Sequence, residues 1–404
     1  MANFDLMRRL TVNEGGKIIM LVMDGLGGLP MEQGGLTELE AANTPNMDRL
    51  AREGTSGLSI PVARGIAPGS GPAHLGLFGY DPLVYDIGRG VLEAIGIGLE
   101  VGDGAVAVRG NFCTVDADGK ITDRRAGRIP TEEGAKRVEI LQGIHIDGLN
   151  IKMRVGEDYR FAMVLSGDDL SDEIDDTDPQ QTGVPTLPAR AQTPAAERTA
   201  GLVNQWLAAA REALRDHAPA NMCTLRGFAK DPNLPKYADV YKLKAACVAV
   251  YPMYKGVSRL VGMETIETHH DDSIQDEFNT VARVYDDYDF IFCHVKPTDS
   301  RGEDGKFDAK AAVIEAVDQA LPTLIGLNPA VLIITGDHST PAKLKAHSWH
   351  PVPTLLWAPA THLPDRAQVF GEREAMMGGL GQFPAADLMP LALGHALRLV
   401  KYGA

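Results

Sequence analysis

Three unbroken apolar runs constrain this chain most: Ile18-Ile19-Met20-Leu21-Val22-Met23, Phe290-Ile291-Phe292-Cys293 and Val331-Leu332-Ile333-Ile334. None alternates with polar residues, so as strands they are buried on both faces, the pattern of a parallel sheet covered by helices. Each run also leads into chemistry. The first ends in Asp24-Gly25, the second precedes Asp299 and Glu303, and the third passes through Thr335-Gly336 into Asp337-His338. Open parallel sheets bind ligands beyond the carboxyl ends of their strands, where residues distant in sequence can meet. Between the first and second runs lies a serine in a glycine-rich turn, Pro68-Gly69-Ser70-Gly71-Pro72-Ala73-His74. Two metal ions and a serine nucleophile are what this set suggests.

Helical patterns fall between the runs. The segment 44–54 is predicted helical, with Thr44 as N-cap, Pro45 in the first turn and Gly54 as the stop. A short helix is predicted over 73–78, just after Ser70, and longer ones over 196–217, 273–286, 307–325 with a kink at Pro322, and 385–401. Strands alternating with helices indicate an α/β fold. From about Val101 to Tyr237 the character changes to short alternating segments, 106–112 and 159–165 among them, followed by one long helix. This reads as an inserted α+β domain at 101–237, leaving 1–100 and 238–404 as the core domain. The polar, Pro-rich stretch 175–194 is either a lid or a plain surface loop.

With 404 residues, 44% of them hydrophobic, the chain can bury a large core. Its 39 basic and 54 acidic side chains give a formal charge of −15, which argues against non-specific nucleic-acid binding. An anionic substrate would have to be drawn by local charge, from bound cations or an arginine cluster. Cys113, Cys223, Cys247 and Cys293 are scattered without paired spacing and read as reduced, mostly buried thiols. No secretory succession opens the chain, and 18–23 is too short to cross a membrane, so a cytoplasmic protein without membrane contact is expected. Oligomeric state has no signature here.

Taken singly, each motif has a plainer reading. Asp24-Gly25 could be a turn after a strand, Asp337-His338 an N-cap beside a surface histidine, and Ser70 an ordinary turn serine. Together, Asp337 and His338 offer a hard oxygen beside an imidazole, which suits a divalent cation. His347 and His350 are rival second imidazoles, and either could be a core histidine. Ser70 precedes a helix N-terminus, whose partial positive charge favours a bound phosphate, and it needs a base or a metal to become nucleophilic. Asp123-Arg124-Arg125-Ala126-Gly127-Arg128 gathers guanidinium groups that bind carboxylate and phosphate bidentately, or forms a solvated face. Within it, Asp123 stays ionised or accepts a proton. Lys255 and Arg259 follow another apolar run, where Lys255 could neutralise a phosphoryl group or hold Ser70 deprotonated.

Several segments, in this order and spacing, resemble cofactor-independent phosphoglycerate mutases of the archaeal type, within the alkaline phosphatase superfamily. They are Met23-Asp24-Gly25-Leu26-Gly27, Ala42-Asn43-Thr44-Pro45-Asn46-Met47-Asp48, Pro68-Gly69-Ser70 through His74, Phe78-Gly79-Tyr80-Asp81-Pro82, Asp123 to Arg128, and Thr335-Gly336-Asp337-His338-Ser339-Thr340-Pro341. The resemblance implies an alkaline-phosphatase-like core, with a mostly parallel sheet flanked by helices, and an inserted domain that closes on substrate. It implies that Asp24, Ser70, Asp337 and His338 surround one metal and that Asp299, Glu303 and His347 hold the other, favouring His347 over His350. Glu303 stands where many relatives place histidine, which shifts the expected preference toward manganese, with magnesium and zinc as alternatives.

The implied activity is interconversion of 3-phosphoglycerate and 2-phosphoglycerate, without 2,3-bisphosphoglycerate, through phosphoserine at Ser70. Lys255 would stabilise charge in transfer, Asp123 would move the proton, and Arg124, Arg125, Arg128 and Arg259 would grip the small phosphorylated hydroxy acid. A metal-dependent phosphatase or phosphodiesterase is the alternative, separated from the mutase by whether water reaches the phosphoserine.

Overall fold

The computed structural model describes residues 3–269 and 272–403. In chain order its strands are β1 (Ile18–Met23), β2 (Thr55–Ile60), β3 (Val106–Val115), β4 (Ile121–Asp123), β5 (Asn150–Val155), β6 (Arg160–Ser166), β7 (Met222–Lys230), β8 (Ala245–Ala249), β9 (Glu264–Thr265), β10 (Phe290–Val295), β11 (Val331–Thr335), β12 (Val352–Trp357) and β13 (Gly381–Pro384). They divide between two compact units, one made of Met1–Asp86 with Leu234–Ala404 and the other of Ile87–Asn233.

The first unit is built on an eight-stranded sheet in the order β13-β2-β12-β11-β1-β10-β8-β9. The ladders from β11 through β1, β10 and β8 to β9 are parallel, as is β13 with β2, and β12 runs antiparallel to both of its neighbours. All six residues of β1 are buried, as their unbroken apolar run requires. Alternate side chains Ile19, Leu21 and Met23 share one face with Ile291, Cys293, Leu332 and Ile334. Met47 and Leu50 of the helix Pro45–Glu53, Phe278 and Val281 of Ile274–Val284, and Ile314 and Val317 of Phe307–Ala320 cover that face. Each such aliphatic side chain removed from water stabilises the fold by about 1.5–3 kcal/mol.

The second unit is a five-stranded sheet in which β3 pairs antiparallel with β4, β6 and β7, and β6 with β5. Val138 and Leu141 of the helix Thr131–Gln142, with Val203 and Trp206 of Glu197–Leu214, pack into its core beside Val106, Val108 and Phe161. The change of segment character put the boundaries at 100/101 and 237/238, whereas the units divide at 86/87 and 233/234. The helix Arg89–Gly96 accounts for most of the difference, because it buries Val91, Ala94 and Ile95 and packs on β3 and β7.

Some helix ends differ from the sequence expectation for identifiable reasons. Thr44 forms no side-chain cap. The first N–H groups of Pro45–Glu53 are taken instead by Asp318, which accepts from Met47 N at 2.7 Å and Asn46 N at 3.2 Å. Pro322 ends the helix Phe307–Ala320 and begins a separate turn, Pro322–Ile325. The expected helix over 385–401 shortens to Leu388–His395. Leu397 turns at φ +57° and Arg398 folds inward to bond the carbonyls of Asn13 and Gly16. All four cysteines are buried and unpaired, and burial pushes the Cys113 and Cys247 thiols up to about 12, so they are inert at neutral pH. Among the described residues no helix is long and apolar enough to cross a membrane.

Candidate active site

Register puts the first ligands together. In the parallel ladder Val22 pairs with Thr335, so Asp24 and Asp337, each two residues further on, leave the same edge of the sheet. On the other side of β1, Met23 pairs with Val295, and the next residue of that strand's extension is Lys296. Asp24 is 0% exposed, and its Oδ2 accepts from Lys296 Nζ at 3.0 Å and from the Tyr254 hydroxyl. His294 Nε2 is 3.3 Å from the same oxygen. Asp337 Oδ1 accepts the Gly25 N–H at 3.0 Å.

The remaining oxygens of this pair, Asp24 Oδ1 and Asp337 Oδ2, are buried without a hydrogen-bond partner. His338 Nε2 lies 3.4 Å from the first, 3.2 Å from the second and 3.2 Å from Ser70 Oγ. Ser70 is the first residue of the helix Ser70–Leu77, and its carbonyl meets His74 Nδ1 at 2.8 Å. Unpartnered buried carboxylate oxygens are costly, and a divalent cation would satisfy both of these at once. Asp24, Asp337 and His338 offer ligand atoms all within 4.8 Å of one another, so the residues present fit such an ion.

A second group adjoins the first. Asp299, in the helix Pro297–Glu303, presents Oδ2 to Lys296 Nζ at 2.7 Å and Oδ1 to the Thr340 hydroxyl at 2.7 Å. His347 Nε2 is 3.6 Å from Asp299 Oδ1 and 3.7 Å from Glu303 Oε1. His347 Nδ1 meets the Pro68 carbonyl at 2.9 Å, which leaves Nε2 as the free lone pair. Its ring stacks on His338 at 3.7 Å between centroids. Asp299, His338 and His347 form the tight set here, so His338 belongs to both groups, and Glu303, with a 54% exposed side chain, stands at the rim. His350, the rival imidazole, bonds Ser348 Oγ at 3.0 Å and stacks on Trp349 instead.

Electrostatics separates the two inner carboxylates. Burial acts to raise Asp24, but His294, Lys296 and His338 together hold it well below the usual carboxylate range. Asp337 goes the other way, pushed up by burial and by the adjacent charge of Asp24. Without a cation between them only one of the pair readily ionises. Burial lowers His338 to about 4 and His74 to about 3, so both imidazoles are neutral at physiological pH. Glu303 is raised by burial and by Asp299.

The sequence reading assigns no role to Lys296, Tyr254, His294, His74 or Thr340. Lys296 had a signal, since it follows an apolar strand as Asp24 does. Tyr254 and Thr340 had none, because tertiary packing alone brings them to the carboxylates. Among the described residues, the hydrogen bonds and ion pairs of Asp24, Asp299 and Asp337 involve neither Lys255 nor Arg259, which lie on the helix Pro252–Leu260 with Tyr254. Burial lowers Lys255, with Arg259 the nearby cation that also lowers it. Arg259 is exposed and donates to Thr265 Oγ1 through Nε at 3.1 Å and Nη2 at 2.9 Å.

In the second unit, Asp123 closes β4 and shapes the arginine loop. Its Oδ1 accepts from Arg125 N at 2.8 Å and its Oδ2 from Gly127 N at 2.7 Å. Ala126, Gly127 and Arg128 all have positive φ, of 45°, 64° and 51°, a run that these two bonds hold in place. Arg124 forms a bidentate pair with Asp178, at 3.3 and 2.8 Å, and Arg226 adds to the same carboxylate at 3.4 Å. Arg125 and Arg128 are exposed. The 175–194 stretch therefore begins as an anchor: Thr177 and Asp178 are buried, and Thr177 N donates to Leu225 O of β7 at 2.9 Å.

Comparison with known proteins bears on the family of the whole chain. A family model described as 2,3-bisphosphoglycerate-independent phosphoglycerate mutase matches residues 51–221. A probable 2,3-bisphosphoglycerate-independent phosphoglycerate mutase of Thermosipho africanus is 52% identical over 390 residues, 96% of each chain. One of the same description from Thermus thermophilus is 49% identical over 404 residues, 99% of each chain. Among solved structures, a Pyrococcus horikoshii protein superposes with a TM-score of 0.82 at 32% identity, covering 96% of this chain and 100% of its own. The cofactor-independent phosphoglycerate mutase of Thermoplasma acidophilum gives 0.76 at 31% identity, covering 94% and 100%. The chain belongs to the family of 2,3-bisphosphoglycerate-independent phosphoglycerate mutases.

Proposed function

We propose that this chain is an isomerase that interconverts 3-phosphoglycerate and 2-phosphoglycerate in glycolysis and gluconeogenesis, without 2,3-bisphosphoglycerate. Ser70 carries the phosphoryl group between the two hydroxyls. The observation that carries this reading is the convergence of Ser70 Oγ, His338 Nε2 and the unpartnered oxygens of Asp24 and Asp337 on one buried spot. Family membership supports it independently.

Asp24, Ser70, Asp337 and His338 would hold one divalent cation, and Asp299, Glu303 and His347 the other, His338 lying close to both. Such ions supply Lewis acidity to phosphoryl oxygens and make a serine hydroxyl easier to ionise. A donor set so rich in carboxylate oxygen favours manganese, with magnesium and zinc as alternatives. Ser70 Oγ attacks phosphorus in line, the bond to the glycerate oxygen breaks, and the Ser70 proton ends on the departing hydroxyl. The glycerate then reorients, its other hydroxyl attacks the phosphoserine, and that proton returns to Ser70.

Asp123 is our candidate for relaying these protons, and Lys255 for neutralising the phosphoryl oxygens in transfer. Arg124, Arg125, Arg128 and Arg259 are assigned to the substrate carboxylate and hydroxyls, with Arg124 already oriented by Asp178. The second unit would serve to keep water from the phosphoserine. A soluble, cytoplasmic location follows from this metabolic role.

Incubating the purified protein with 3-phosphoglycerate and manganese, and following 2-phosphoglycerate against inorganic phosphate, tests the reading. Formation of 2-phosphoglycerate with little phosphate is expected. Phosphate as the main product would make the protein a phosphatase.

A further inference from the structure

The two ligand groups share more than the His338 ring. Thr340, 0% exposed, lies with its Oγ1 2.7 Å from Asp299 Oδ1 and 3.0 Å from His338 Nδ1. A hydroxyl has a single proton to donate, and a carboxylate oxygen can only accept it. The Thr340 proton therefore goes to Asp299, and His338 Nδ1 must donate its own N–H to Oγ1. A neutral imidazole carries one N–H, so His338 Nε2 is left as a bare lone pair. That lone pair is the atom 3.2 Å from Ser70 Oγ and 3.4 Å from Asp24 Oδ1.

Thr340 has little freedom to do otherwise. Its carbonyl accepts from the buried Lys310 Nζ at 3.0 Å, and the same ammonium donates to the carbonyls of Gly25 at 2.8 Å and Gly27 at 3.0 Å. Its own N–H is shared between those two carbonyls at 3.2 and 3.0 Å. Glycines close the cradle. A Cβ at Gly25, where φ is +62°, would sit 2.5 Å from Thr340 Oγ1, and one at Gly302 would sit 2.1 Å from the Thr340 carbonyl oxygen.

We propose that Thr340 is a positioning residue that couples the two metal-ligand groups, one hydroxyl fixing both the tautomer of His338 and the orientation of the Asp299 carboxylate. The inference rests on the two-cation reading given above. Groups hydrogen-bonded behind a metal ligand commonly contribute 10–100-fold to metal affinity. Here one such group serves ligands of both sites, so its loss should weaken both together.

The test is calorimetric titration of the metal-free full-length protein with manganese, for the wild type, Thr340→Val and Thr340→Ser. The valine variant should lose about 10–100-fold in affinity at both sites, and serine should restore most of it. Nitrogen NMR of the His338 ring in the metal-free wild type should show protonation at Nδ1, a readout independent of any variant's folding. A wild type that binds none of manganese, magnesium or zinc would overturn the two-cation reading itself. Two-site binding left unchanged by Thr340→Val, loss confined to one site, or an Nε2-protonated His338 in the wild type would overturn the role of Thr340 while sparing that reading.

Discussion

The strand-end cluster of the first unit and the arginine loop of the second solve opposite electrostatic problems with opposite architecture. The cluster crowds Asp24, Asp299 and Asp337 into buried space, where like charges repel, and it is held by sheet register, Lys310 and glycines that admit close backbone approach. The loop spreads guanidinium groups over a turn that two carboxylates, Asp123 and Asp178, pin from below, leaving Arg125 and Arg128 exposed. A site that must place a reacting atom is preorganised to fractions of an ångström, whereas a site that must grip and release an alcohol can keep mobile side chains. Under the proposed function the cluster would be completed by a cation, and the loop by an anionic substrate.

That contrast predicts different failures. The largest belongs to the cluster: Ser70→Ala should cut phosphoryl transfer by a factor on the order of 10⁴ or more while manganese still binds, read by product formation and calorimetry. Transfer at an undiminished rate would remove Ser70 as nucleophile. Next comes Gly25→Ala, which forces an alanine into positive φ against Thr340 and should destabilise the protein by about 1–3 kcal/mol in urea unfolding, with metal affinity falling too. An unaltered unfolding midpoint would show that the cradle is looser than its distances imply.

In the loop the effects should be smaller and of another kind. Arg125→Ala is expected to raise KM about 10-fold with kcat nearly kept, the mark of uniform binding lost. A fall in kcat at constant KM would instead put Arg125 in the transition state. The smallest effect concerns Asp178. Burial works to raise it, but the bonds from Arg124 and the Gln180 N–H, with Arg226 nearby, hold it below the usual value of 3.8. A depressed folded-state pKa contributes stability above the unfolded value, which is lost as pH falls through the lower folded one. The opening free energy of β7 amides, read by hydrogen exchange relative to the intrinsic rate at each pH, should therefore fall below about pH 4 in the wild type. In Asp178→Asn it should already be lower at neutral pH, by about 1 kcal/mol, with less acid dependence. Equal acid dependence in both proteins would assign that loss to other groups.

How much of this is legible in the sequence follows the same division. Unbroken apolar runs give β1, β10 and β11, because a strand buried on both faces has no reason to alternate. The end of a parallel strand is a fixed place, so Asp24, Asp337 and His338 can be picked out as neighbours before any fold is in hand. Capping is less legible: Thr44 has the right chemistry in the right place, yet Asp318, from a helix distant in sequence, takes the N–H groups. The helix expected over 385–401 is too long because apolar periodicity does not reveal that Arg398 turns inward. Thr340, Tyr254 and Lys310 act through contacts across the unit, which no local pattern encodes. The arginine run is plain, but its pinning by Asp178 joins residues separated by 54 positions.

The place of β1 also has a consequence for how the protein is made. Its two neighbours in the sheet are β10 and β11, and Ile18 waits for Phe290, 272 positions later. At about 5–20 residues per second, a ribosome takes roughly 15–50 s to supply that partner. The second unit, contiguous in sequence, can be complete well before then. For that interval the apolar strand β1 lacks both of its sheet neighbours, an open edge available for pairing with the wrong partner.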